Sequence, residues 1–113
     1  MLINMYISIT GLKPKNFLSK IKFWMLAIPS FRAAQKADGN LFSEVKEVDG
    51  YKHTLTAWKD RNYMMEYIHG TTHSKAMKEF SSIATGSTYG FESNEIPSWE
   101  EALDLWKTNY KEY

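Results

Sequence analysis

The sequence predicts an α+β fold in which four antiparallel strands form one sheet with helices on one of its faces. Three observations support this prediction. Apolar and polar residues alternate over residues 3–9, which is the pattern of a strand with two unlike faces. Asp49-Gly50 separates two strand-like runs and indicates a hairpin. The full order of strand, helix, strand, strand, helix, strand is the split βαβ arrangement of ferredoxin-like folds.

The composition is typical of one globular domain. The chain has 113 residues, 43% hydrophobic and 24% charged, so we expect residues 1–113 to form a single domain. Its net charge of +1 provides no field for nucleic acid, which we exclude as a partner. The absence of cysteine fits a reducing compartment, and we expect a cytoplasmic protein. No uncharged run approaches the roughly 20 residues of a membrane span.

The N-terminal part of the chain is predicted as a strand, a helix and a connector. Gly11 and Pro14 are expected to separate the strand from the helix, because proline is tolerated near a helix start. Residues 16–27 place apolar side chains at helical spacing, and the helix is predicted to end near Pro29. Residues 30–40 are predicted as a short helical or irregular connector.

The middle of the chain is predicted as the hairpin and a capped helix. Strands over residues 41–48 and 51–58 flank the Asp-Gly turn. Asp60 is well placed to cap the next helix, since its carboxylate accepts from amides that have no other partner. Gly70 ends that helix.

The C-terminal part is predicted as a short helix, a strand and a last helix. The short helix covers residues 72–80 and the fourth strand covers residues 86–91. Ser98 and Glu101 form a capping box, which predicts a helix running through Trp106.

One face of the sheet then needs a partner. Strand one turns Asn4, Tyr6 and Ser8 away from its apolar stripe, and we expect these residues on the face without helices. A mixed aromatic and polar surface indicates a partner, a ligand or both. Strand three adds either His53, Leu55 and Ala57 or Thr54, Thr56 and Trp58.

The stretch "HTLTAWKDRNYMMEYIHGTTHSKAM" resembles the dimeric α+β barrel proteins, and among them the spheroidene monooxygenase-like and antibiotic-biosynthesis-monooxygenase-like groups. It carries a strand ending in Trp, an acidic cap, an amphipathic helix ending in an aromatic residue, and a His before a helix of small residues. "IPSWEEALDLW" is similar to the tail of relatives of the spheroidene group. The resemblance covers the C-terminal half, and the N-terminal half matches only in pattern.

The resemblance implies a homodimer in which two ferredoxin-like protomers pack their open sheet faces together around a hydrophobic small molecule. It implies monooxygenase-like chemistry, either without a cofactor or with haem. Haem-degrading members are similar in using a strand-one Asn, a core Trp and a helix His, which fall on Asn4, Trp58 and His73.

The candidate catalytic residues are Asn4, Tyr6 and His73, which would act as placed donors in a dry cavity. A buried amide or phenol needs a hydrogen-bond partner, either on a ligand or across a dimer. The alternative is therefore a non-catalytic binding or structural homodimer in which the same residues seal the interface. The candidate substrate-binding residues are Trp58, His69 and Tyr89.

His69 and His73 are four positions apart, a spacing that would suit a metal on an unbroken helix. However, no Glu lies between them, the chain has no Cys, and Gly70 is expected to break the helix. We therefore predict no metal site and a helix-end or hydrogen-bonding role for these histidines.

Overall fold

The fold is known from a computed structural model, which describes residues 4–70 and 84–112. The predicted short helix over residues 72–80 lies outside this part of the chain. The elements confirm the ferredoxin-like α+β prediction and are β1 (Met5–Pro14), α1 (Phe17–Lys36), β2 (Asn40–Val48), β3 (Tyr51–Trp58), α2 (Arg61–Ile68), β4 (Ala84–Ser93), α3 (Trp99–Asn109) and β5 (Lys111–Glu112).

The sheet has the strand order β2-β3-β1-β4-β5, and its neighbouring strands are antiparallel. The four predicted strands form its body, and the two-residue β5 extends it beside β4. β1 is the central strand, since it pairs with β3 on one side and β4 on the other.

The hairpin and the helix caps are as the local sequence motifs predicted. Asp49 and Gly50 have φ values of 52° and 81°, and positive φ at both turn positions matches the twist of the flanking strands. The Asp60 carboxylate accepts from the amides of Asn62 and Tyr63 at 2.9 and 3.2 Å. Ser98 Oγ likewise accepts from the Glu101 amide at 3.2 Å.

The prediction that Gly11 separates strand from helix is wrong, because it belongs to β1, whereas Pro14 lies shortly before the start of α1 at Phe17, as predicted. Gly11 pairs with His53 on β3 and leaves room for the indole of Trp106, which a Cβ at this position would approach to 2.4 Å. Pro14 is the last residue of the strand, where a missing N–H is tolerated.

The prediction that the first helix ends near Pro29 is also wrong, because α1 continues to Lys36. A proline inside a helix removes one N–H and crowds the preceding turn. Ser30 and Ala34, beyond the proline, are both buried, and the Tyr67 hydroxyl donates to the Ser30 carbonyl oxygen at 2.8 Å. Tertiary packing thus offsets the local cost of the proline.

The two faces of the sheet carry different helices. α1 and α2 lie together on one face, as predicted, whereas the terminal helix α3 packs on the other. Under α3 lies the main core cluster, which consists of buried apolar residues from β1, β3 and α3: Ile7, Ile9, Leu55, Ala57, Ala102 and Trp106.

The expectation that Tyr6 and Ser8 lie on a helix-free face is therefore wrong. Ser8 lines a space beneath α1 and α2, and Tyr6 has the same parity on β1. The strand pattern correctly grouped these residues, but it contains no information on which helix covers which face. Within residues 4–70 and 84–112, no helix is long and apolar enough to cross a membrane, and the cytoplasmic location stays a prediction.

Candidate functional site

A cavity of about 620 Å³ lies between the sheet and the helices α1 and α2. Its floor is formed by hydroxyl side chains on three adjacent strands. Ser8 pairs with Thr56, and Thr10 pairs with both Thr54 and Thr88, so the five hydroxyl residues lie side by side. The floor is thus polar at its oxygen atoms and apolar at its methyl groups.

Some floor hydroxyls are already engaged with the backbone. Thr56 Oγ1 donates to the Ser8 carbonyl at 3.5 Å and accepts from Trp58 Nε1 at 2.9 Å, and Thr88 Oγ1 donates to the Ile9 carbonyl at 3.4 Å. A hydroxyl has one donor and two acceptor sites. These two threonines therefore retain acceptor capacity for a ligand that brings its own donor.

The roof of the cavity is mostly apolar and partly built from small residues, and α1 also contributes the polar residues Ser30, Arg32 and Gln35 to it. Ala27, Phe31 and Ala34 follow helical spacing along α1 and contribute to one side of the cavity. The two alanines leave space that a larger side chain would fill. The remaining apolar lining comes from Leu12, Ile28, Val45, Met64 and Ile68.

One end of the cavity is aromatic. The buried ring of Trp58 stacks on Tyr67 with a centroid separation of 5.4 Å and an interplanar angle of 27°. Besides donating to the Ser30 carbonyl, the Tyr67 hydroxyl lies 3.0 Å from Ser30 Oγ. Burial raises the pKa of Tyr67, and the hydrogen bond to Ser30 opposes this shift. Tyr67 is therefore a neutral, fixed phenol that holds Trp58 in place.

The other end of the cavity is charged. Lys52 on β3 lies directly opposite Glu47 on β2, and their side chains form an ion pair. Both residues line the cavity. The Lys52 side chain is only 8% exposed, whereas that of Glu47 is 48% exposed. The buried ammonium is thus paired with a carboxylate that is half exposed to solvent.

Of the predicted site residues, Trp58 lines the cavity. Asn4 is exposed just before β1, and Tyr6 is half-buried with its hydroxyl against Gly90. Neither is among the described residues that line the cavity.

The other predicted residues are spread over the molecule. His69 is exposed at the C-terminal end of α2, where it is the cap residue. Tyr89 pairs with Ile9 and stacks on Phe91 at 5.3 Å, which places it on the α3 face. His73 lies outside the described residues. The structure therefore does not bring together the five predicted residues that it describes.

Sequence reasoning did not find Ser30, Tyr67, Lys52 or the threonine floor. Thr54, Thr56 and Trp58 alternate along β3 and therefore lie on the same face of the strand, which was the only sequence signal for the floor. The residues of the opposite face of β3 were an equally good candidate for the pocket. Tyr67 resembles any aromatic residue on the apolar stripe of a helix, since nothing in the sequence indicates its contact with Ser30.

The α3 face holds a separate aromatic cluster around His53. The His53 ring stacks on Tyr51 at 5.8 Å and meets Trp106 edge-on at 4.6 Å, and its Nδ1 lies 3.2 Å from the Thr10 carbonyl oxygen. Burial lowers the pKa of His53; the Thr10 hydrogen bond opposes this shift and the charge of Lys107 adds to it. His53 borders the cavity, yet its ring serves to anchor α3. Among the described residues, no group of three or more His, Asp or Glu is arranged to hold a metal.

The chain is similar in structure to several oxygenase-related proteins. No protein-family model matches it, and no curated protein is significantly similar in sequence. A conserved Bacteroides thetaiotaomicron protein of unknown function, described as a possible oxidoreductase, matches with a TM-score of 0.72 at 12% identity, over 80% of this chain and 99% of that one. A candidate antibiotic biosynthesis monooxygenase from Deinococcus radiodurans matches with a TM-score of 0.72 at 16% identity, over 82% of this chain and 96% of that one.

A third similar structure is SnoaB, a cofactor-independent oxygenase from Streptomyces nogalater, with a TM-score of 0.69 at 8% identity, over 84% of this chain and 99% of that one. At these identities the similarity concerns the fold. The predicted resemblance to antibiotic-biosynthesis-monooxygenase-like proteins is confirmed at that level.

Proposed function

We propose that the chain binds a hydrophobic small molecule in the cavity between the sheet and the helices α1 and α2. The observation that carries this proposal is the cavity itself, which has a volume of about 620 Å³, a mostly apolar roof and a hydroxyl floor. Ligand sites are usually concave and mostly apolar, with a few polar groups that fix orientation. Ser8, Thr10 and Thr56 would provide those groups.

Oxidation of the bound molecule by O₂ without a cofactor is the chemistry we propose for this site. The similarity in fold to a cofactor-independent oxygenase supports this step. The substrate would supply the electrons: a CH₂ group becomes C=O, and the second oxygen atom of O₂ leaves as water. The chain would exclude bulk water and hold the substrate against Trp58 and Tyr67.

Haem is the other cofactor state that the family resemblance implies. Neither histidine in the described residues suits an axial ligand in the cavity, because His69 is exposed and the His53 ring packs under α3. The described residues therefore do not fit a haem, and we assign no step to it. Titration with haemin tests this: a Soret band that His73→Ala abolishes would restore the haem form.

The binding proposal is tested with N-phenyl-1-naphthylamine, an uncharged fluorophore that brightens in apolar surroundings. We expect saturable binding to the wild-type chain. Ala34→Phe places a phenyl ring in the space that the ligand would occupy and should weaken binding by at least about tenfold. Ala33→Phe is the matched control, because Ala33 is half-buried on the same helix and is not among the described lining residues. Equal binding by both variants would contradict the proposal.

The oxidation step is tested separately with an oxygen electrode. The compounds to test are those that displace the fluorophore and carry an activated CH₂ group. The wild-type chain should consume O₂ when such a compound is added, whereas Ala34→Phe should not. Binding without O₂ uptake across such a panel would leave a non-catalytic binding protein, which is the alternative function.

We also propose that the chain forms a homodimer through α1. Ile21, Met25 and Ile28 follow helical spacing on α1 and are all exposed, Met25 to 71%. An apolar stripe of this kind is a common site of protein association. Sedimentation at micromolar concentration should show a dimer that Met25→Lys converts to a monomer, and a wild-type monomer would contradict this part of the proposal.

A further inference from the structure

The ion pair of Lys52 and Glu47 is asymmetric in its exposure to solvent. The ammonium is almost completely buried at the cavity end, whereas half of the Glu47 side chain is exposed. A buried charge needs a counter-charge, because desolvation without one is very costly. The Glu47 carboxylate, in contrast, is half exposed and can be hydrated when it turns toward water. Glu47 is therefore the partner that another carboxylate could replace.

The charged end and the aromatic end lie far apart along one strand. Lys52 and Trp58 are both on β3 with the same parity, six positions apart, which corresponds to roughly 20 Å at the rise of a strand. Thr54 and Thr56 lie between them on the cavity floor. The cavity thus offers a cation at one end and an apolar, aromatic compartment at the other.

We propose that the cavity binds an amphiphilic monocarboxylate, whose carboxylate takes the place of Glu47 on Lys52 and whose apolar body extends toward Trp58. This inference rests on the proposed function and adds the chemical class of the ligand. Arg32 and Lys46 also border the cavity but are exposed, so Lys52 is the one buried cation among the described lining residues and matches one negative charge. The existing Glu47 carboxylate shows that this group fits at Lys52. A carboxylate inside the cavity is shielded from water, which strengthens its attraction to the ammonium.

The test compares decanoate with decanol, which share an apolar chain and differ in charge. Both are used to displace N-phenyl-1-naphthylamine from the wild-type chain at about pH 8, where decanoate is ionised. We expect decanoate to bind about tenfold more tightly, as one charge-assisted hydrogen bond implies.

Two variants locate the preference. Lys52→Met keeps an unbranched side chain without charge, and it should weaken decanoate binding about tenfold more than decanol binding, which removes the preference. Glu47→Gln removes the competing carboxylate and should tighten decanoate binding. Thermal unfolding followed by circular dichroism checks that both variants are folded. If Lys52→Met does not fold, Glu47→Gln still tests the inference.

The outcomes separate this inference from the proposed function. Equal displacement by decanoate and decanol in the wild-type chain would overturn the carboxylate inference and leave the apolar cavity intact. If the fluorophore itself does not bind, the proposed function fails and this inference fails with it. A preference for decanoate that persists in Lys52→Met would show that the carboxylate lies elsewhere.

Discussion

Substitution of Ala34 by leucine distinguishes a true cavity from an ordinary core. Ala34 is 3% exposed, so a larger side chain at this position must point into the protein. Leucine adds three carbon atoms, which would contribute about 2 kcal/mol if they all lose contact with water. The lost rotamer freedom of leucine costs about 0.5–1 kcal/mol. We therefore expect Ala34→Leu to stabilise the fold by about 1–2 kcal/mol, since the cavity provides the room.

Ala57→Leu is the matched control for this prediction. Ala57 is 0% exposed and belongs to the packed cluster under α3. The same three carbon atoms should destabilise the fold there by about 1–3 kcal/mol, because the cluster has to shift to admit them. Urea unfolding of both variants and of the wild-type chain provides the free energies. Equal destabilisation by the two substitutions would refute the cavity between the sheet and α1.

Three further predictions concern the packing on the two faces of the sheet. Tyr67→Phe keeps the ring and removes the donor to the Ser30 carbonyl, so it should cost about 1 kcal/mol in urea unfolding; an unchanged midpoint would contradict this bond. Gly11→Ala brings a Cβ against the Trp106 indole and should cost about 1–3 kcal/mol, with a changed near-ultraviolet tryptophan signal as the second readout. Burial lowers the pKa of His53 from its ordinary value of 6.5. Below pH 6.5 the unfolded chain therefore binds a proton more readily than the folded chain does, and the free energy of unfolding should fall as the pH decreases from 6.5. Unfolding at about pH 7.5 and 5.5 measures this loss, which His53→Phe should reduce; an identical loss in the variant would refute the assignment.

Some elements could be predicted from the sequence because their signals are complete within a few residues. The turn requires positive φ at both central positions, and Asp49 and Gly50 are residue types that adopt it readily. Asp60 and Ser98 cap helices through amides only two or three positions away. None of these features depends on a distant part of the chain.

Other features depend on contacts that a local pattern does not contain. α1 passes Pro29 where Ser30 is buried and its carbonyl oxygen accepts from the hydroxyl of Tyr67, 37 positions later in the sequence. The alternation along β1 correctly placed Ser8 and Ile9 on opposite faces of the sheet. Which helices cover each face depends on tertiary packing, and here α1 and α2 cover the Ser8 face whereas α3 covers the Ile9 face.

Apart from Trp58, the features described at the two ends of the cavity were not predicted, for the same reason. The stack of Trp58 on Tyr67 joins a strand end to a helix, and the Lys52 ion pair depends on the register between β2 and β3. Asn4 and Tyr89 were predicted from residue type and strand parity, and the structure places them outside the cavity lining.

The most direct measurement is a ¹H–¹⁵N spectrum of the indole N–H groups during titration with N-phenyl-1-naphthylamine. The Trp58 indole donates to Thr56 at the cavity floor, whereas the Trp106 indole donates to the Ser87 carbonyl on the α3 face. A ligand in the cavity should shift the Trp58 resonance with saturation and leave Trp106 unchanged. A saturable shift of the Trp106 resonance with no change at Trp58 would place the binding site on the α3 face of the sheet and contradict the proposed cavity site.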